Sequence, residues 1–129
     1  MKSIVLIITS LFIISSAQAE AIKCTQTPYR AFDFWLGTWQ VTTTNDNIIR
    51  HSKISAINNG CTLLEEYSTP NGYIGKSLNI YDKRTQKWHQ TWTDNTGLLL
   101  LLNGNIIDNN MIMTGQTIDE NKDSILNKI

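Results

Sequence analysis

Between Leu36 and Thr117 the chain repeats one pattern, in which short runs of alternating apolar and polar residues are broken at intervals of about ten residues by turn-forming residues. A period of two sends successive side chains to opposite faces of an extended strand, and breaks this close together leave room only for hairpins. The pattern predicts strands at 36–44, 48–57, 61–68, 74–82, 87–94, 97–103 and 111–117. The breaks are Asn58-Asn59-Gly60, Thr69-Pro70-Asn71-Gly72, Asp82-Lys83-Arg84-Thr85, Asp94-Asn95-Thr96-Gly97 and Asp108-Asn109-Asn110. All carry residues that accept left-handed backbone or preset a turn. Short connections make sequence neighbours pair, so the chain reads as all-β, an antiparallel up-and-down meander. A sheet of that kind hides its edges best by curling toward a barrel. Helix is expected only between Pro28 and Leu36, where Phe32, Phe34, Trp35 and Leu36 offer an apolar plug.

The start of the chain bears on compartment. Lys2, the apolar run Ile4 to Ile14 and the triplet Ala17-Gln18-Ala19 read as a secretory signal peptide over residues 1–19. The run is too short to span a bilayer, which takes about 20 apolar residues, so no membrane association is expected after cleavage. The division expected is thus a signal peptide at 1–19, an N-terminal segment with a short helical turn at 20–35, the meander at 36–117 and a polar tail at 118–129. Removing the leader takes one of eleven basic residues and none of the eleven acidic ones, which leaves a net charge of −1. No basic field exists to hold nucleic acid or an anionic membrane. Both cysteines, Cys24 and Cys61, fall in the exported part, where an even count favours a disulfide. Lys23 stands where a lipid-attachment sequence needs a small residue, so Cys24 is not expected to be lipidated. The destination is periplasmic or secreted.

The segment Phe32-Asp33-Phe34-Trp35-Leu36-Gly37-Thr38-Trp39 resembles the opening of a family of uncharacterised secreted bacterial proteins with a lipocalin-like, or calycin-like, barrel. Asn59-Gly60-Cys61 with Leu64 and Glu66, Gly75 to Asp82, and Trp88 to Asp94 resemble that family's successive strand motifs. The resemblance implies a barrel, and also implies that this copy is truncated at its C-terminal end. Members continue with about two further strands, whereas this chain runs into Asp119-Glu120-Asn121-Lys122-Asp123. A barrel left incomplete in this way would leave 36–44 and 111–117 as unpaired edges. Related barrels, the nitrobindins, bind haem through a late histidine, and none follows His89 here, so no cofactor is expected.

If the turn Lys83 to Gln86 joins its strands directly, Tyr81 faces Trp88, Asn79 faces Gln90 and Ser77 faces Trp92. Those six residues share one face, whose opposite carries Lys76 and His89, so the six are expected inside. A two-residue turn at Asn95-Thr96 would add Leu99 and Leu101. These eight are the expected ligand-binding residues, for a small hydrophobic or aromatic molecule; the alternative is that the aromatics simply fill a narrow barrel. Glu65 and Glu66 are adjacent in a strand, so one of them points inward; it is Glu66 if the Thr69 to Gly72 turn sets Glu66 beside Gly75, and the register decides which of the two it is. Such a carboxyl is a weak candidate for acid or base catalysis and a stronger one for a structural hydrogen bond, so binding rather than catalysis is the leading expectation. His51 and His89 are expected at the surface, and no Cys or His cluster has metal-ligand spacing. A third expectation is a strand-pairing protein, dimerising through open sheet edges.

Overall fold

The alternation becomes eight strands in the computed structural model, which describes residues 24–43, 46–118 and 124–128. The expected leader lies outside those residues. The strands are β1 (Gly37–Thr43), β2 (Asp46–Ile57), β3 (Thr62–Ser68), β4 (Ile74–Asp82), β5 (Lys87–Asp94), β6 (Leu99–Ile107), β7 (Asn110–Ile118) and β8 (Ser124–Lys128). Each pairs antiparallel with the next, in the order of the chain. The turns form for the reasons their residues suggest. Asp108 and Asn109, at φ 48° and 61°, are the two central residues of a tight hairpin between Ile107 and Asn110. Between β4 and β5 the Asp82 carboxylate accepts from the Arg84 N–H and the Thr85 hydroxyl, each at 2.9 Å.

Two expectations fail here. An eighth strand, β8, arises within 118–129, the segment expected to be a polar tail, and pairs with β7 from Thr114↔Lys128 to Ile118↔Ser124. The larger correction concerns closure. β1 and β8 are the two margins of a single sheet and do not pair with each other, so the sheet is open and no lipocalin-like or calycin-like barrel forms. The family resemblance therefore misled about architecture. Alternation and turn chemistry fix which strands are neighbours, but closure needs tilt and stagger to match around the whole circuit, and no local pattern encodes that.

One face of the sheet is covered. Rows running across it bring together Gly37, Ile54, Glu65, Ser77, Trp92 and Leu100, then Leu63, Asn79, Gln90 and Leu102, then Tyr81, Trp88, Gly104 and Met113. The core is Phe32, Ile54, Leu63, Trp88, Leu102 and Met113, with Trp35, Tyr81, Leu100 and Met111 packed against it. Phe32 comes from the N-terminal segment, which contains helix α1 (Thr27–Arg30) and a 3-10 turn (Asp33–Trp35). Its ring stacks on Trp35 at 4.8 Å and meets the Trp88 ring edge-on at 5.4 Å. The Trp88 indole N–H donates to the Pro28 carbonyl at 3.2 Å, and Arg30 Nη2 donates to the Gly60 carbonyl at 2.7 Å. The Cys24–Cys61 disulfide forms and ties the start of this segment to the entry of β3. A thiol used this way carries no lipid.

Candidate functional site

A buried carboxylate needs hydrogen bonds to replace the water it has lost. Glu65, on β3 and only 8% exposed, finds them on both flanking strands. Ser52 Oγ on β2 donates to its Oε1 at 2.9 Å, and Ser77 Oγ on β4 donates to its Oε2 at 2.8 Å. The register brings this about, since Glu65 lies opposite both Ile54 and Ser77, with Ser52 diagonal to it. Ser77 is in turn held by amides: Asn79 Nδ2 donates to its hydroxyl oxygen at 2.8 Å and Gln90 Nε2 at 3.4 Å. A serine hydroxyl has one proton and two lone pairs, so two incoming donors commit that proton to Glu65 Oε2. Among the described residues the Ser52 hydroxyl takes no comparable pair of donors.

Ser52 and Glu65 also reach an open concavity of about 490 Å³, lined besides by Trp35, Trp39, Gln40, Val41, Thr42 and Tyr67. The Trp39 indole N–H is held by the Trp35 carbonyl at 2.7 Å, so what Trp39 offers a ligand is the apolar ring rather than its N–H donor. Tyr67 packs edge-on to Trp92 and Tyr73, at 6.0 and 6.1 Å between ring centres. Among the described residues no cation pairs with Glu65; the ion pairs found there join Arg30 to Asp33 and Lys76 to Glu66. Asn79 Oδ1 is buried and has no hydrogen-bond partner among the described residues. Leaving such an acceptor unmet costs about 1 to 3 kcal/mol, and exceptions of this kind cluster where polar groups serve function.

The candidates from sequence are placed as follows. Ser77, Asn79, Tyr81, Trp88, Gln90 and Trp92 share the covered face, in the expected β4–β5 register. Leu99 and Leu101 are on the opposite face, 52% and 46% exposed, because β6 pairs as Thr93↔Leu99 rather than through a two-residue turn. Their places inside are taken by Leu100 and Leu102. Trp88 is 2% exposed and packed with Phe32, Leu102 and Met113, and the open concavity that it and Tyr81 line is completed by Pro28, Ala31, Gln86, Asn105 and Ile106 rather than by Trp92, Leu99 and Leu101. The expected hydrophobic-ligand barrel does not form, because the sheet is open. Glu66 is corrected too: it pairs across from Lys76 on the outer face, and the Lys76 ammonium at 2.9 Å holds its carboxyl below the usual range. The inward glutamate is Glu65, and its network argues against the expectation of binding without catalysis.

Among the described residues, no group of three His, Cys, Asp or Glu side chains is placed to hold a metal ion. Nor, among them, is any helix long and apolar enough to cross a membrane. Ser52 was not singled out from sequence, and its only signal there is its alternation with Ile54 on one strand. The search of family models, of curated proteins and of solved structures finds no match to this chain.

Proposed function

We propose that the chain is a small acid–base enzyme in which Glu65 exchanges a proton with a substrate seated in the concavity under Trp39. The observation that carries this reading is the asymmetric clamp on one carboxylate. Oε2 is pinned by a hydroxyl that has no other use for its proton, while Oε1 meets a hydroxyl free to turn. When Oε1 takes a proton from the substrate, the Ser52 hydroxyl rotates from donor to acceptor and receives the new O–H. When the proton returns, it rotates back. No heavy atom has to move, which is what preorganised proton transfer requires. An acceptor left unmet at Asn79 belongs to the same picture, since stability spent at a polar cluster is common where the cluster does chemistry.

The test pairs the wild-type protein with Glu65→Gln on chromogenic ester, glycoside and phosphate substrates and on solvent-deuterium exchange into carbon acids. Turnover in one class is expected, falling about 10²- to 10⁴-fold in the variant, with the far-UV and near-UV circular dichroism unchanged. Turnover in none of these classes, or equal turnover in both proteins, overturns the assignment. The pattern of residues 1–19 and the Cys24–Cys61 disulfide support a site of action in the periplasm or outside the cell. A second reading rests on a different observation. Among the described residues no strand pairs with the outer margins of β1 and β8, and such margins accept strands, so a homodimer paired edge to edge is the assembly they support.

A further inference from the structure

The geometry points to a small organic cation, an alkylated ammonium group, as the species bound above Glu65, with its charge held between the carboxylate and the face of Trp39. The inference deepens the acid–base reading and rests on it for its location. Three observations converge. Glu65 is buried and, among the described residues, unpaired with any cation, although its oxygens are satisfied by neutral hydroxyls. A negative charge in that setting is best compensated by a positive one brought by the ligand. Next, the walls of the concavity are π-rich. Trp35, Trp39 and Tyr67 line it, and because the Trp39 N–H is already engaged by the Trp35 carbonyl, that donor does not compete with the ring for a ligand's charge. Finally, the remaining lining groups, Gln40, Val41, Thr42 and Ser52, are uncharged. Arg50, two residues before Ser52 on the same face of β2, lines the adjoining concavity with Ile48, Tyr67, Thr69, Asn71 and Tyr73 and is not among the lining residues of this one.

An anion would meet the carboxylate with like charge. A neutral apolar molecule would gain the rings and leave Glu65 uncompensated. A methylated ammonium is attracted by both, and its methyl groups replace water against the rings without requiring hydrogen bonds that the rings do not offer. The concavity, at about 490 Å³, has the dimensions of sites for small ligands.

The probe is choline, titrated by tryptophan fluorescence and by calorimetry, against its uncharged carbon isostere dimethylbutanol. Choline is expected to bind at least roughly tenfold more tightly than the isostere. Glu65→Gln is expected to remove that preference while leaving the weak affinity for the isostere. Trp39→Leu, at a side chain 43% exposed and outside the core, is expected to weaken choline and to reduce the fluorescence change to what Trp35 contributes. Equal affinity for both probes, no choline binding at tens of millimolar, or a charge preference that survives Glu65→Gln overturns the inference. The two proposals fail separately. Choline bound with Glu65 dependence but no turnover in any class removes the enzyme and keeps the cation site, whereas Glu65-dependent turnover without a charge preference does the reverse.

Discussion

Asp94 shows what a single side chain can organise at the end of a hairpin. Its Oδ1 accepts from the Thr96 hydroxyl at 2.6 Å, the Thr96 N–H at 2.8 Å and the Leu98 N–H at 3.3 Å. Its Oδ2 accepts from the Tyr73 hydroxyl at 2.7 Å and the Trp92 indole at 3.2 Å. The Thr96 hydroxyl first, and then that of Tyr73, hold its carboxyl far below the ordinary 3.8. The depressed value means that this contribution to stability is complete above about pH 4 and drains away as the solution is acidified below it. Tyr73 behaves in the opposite sense: burial first, then the Asp94 carboxylate, pushes its phenol up to about 12 from 10.0. Its share is complete below pH 10 and is lost as the pH rises from there toward 12. Melting temperatures across the pH range should therefore fall at both ends. Asp94→Asn is expected to flatten the acid arm and Tyr73→Phe the alkaline arm, and arms unchanged in these variants would dismiss the network. At the same scale lies the choice between Glu65 and Glu66, which the register decides for Glu65. Setting Glu66 beside Gly75 is one residue from the true pairing of Tyr67 with Gly75, and a slip of one exchanges the two faces of a strand.

Elements differed in how plainly their residues announced them. The β4–β5 register was legible because Asp82 and Lys87 flank a turn whose length and capping carboxylate leave one arrangement, and Tyr81, Asn79 and Ser77 then meet Trp88, Gln90 and Trp92. The β5–β6 connection was not. Asn95-Thr96 looks like a two-residue hairpin, but the Asp94 side chain gathers Thr96 and Leu98 into a longer loop, and β6 rejoins with Leu100 and Leu102 turned inward. Side-chain capping of this reach depends on where Tyr73 and Trp92 lie, which a local reading does not contain. The N-terminal segment was legible as an apolar plug, though not as a partner for Trp88 through the Pro28 carbonyl. Its attachment carries its own prediction. The disulfide spans 37 residues, and closing a loop of that size is worth about 4 kcal/mol in the chain-entropy model. Reduction by dithiothreitol, or the pair Cys24→Ser and Cys61→Ser, is expected to lower urea-unfolding stability by about 3 to 4 kcal/mol. An unchanged midpoint would show that the contacts of Phe32, Arg30 and Trp88 suffice to hold the segment.

For the molecule as a whole, the order of strands was written in alternation and turns, while the fate of the ends was not. Whether a meander closes depends on twist accumulated over every strand pair, and no residue of β1 or β8 records that sum. The open margins give a prediction at this scale. Light scattering after size-exclusion chromatography should show mass rising from one copy to two with concentration, and a single copy at every concentration would exclude edge-to-edge pairing. β1 belongs to both halves of this account. Trp39 of β1 walls the site with its side chain, and the backbone of the same strand is one rim of the sheet. Whatever docks along that rim therefore shares a strand with whatever sits over Glu65. By thermodynamic reciprocity, if a docked strand alters the hold on a bound molecule, the bound molecule alters the docking by the same factor.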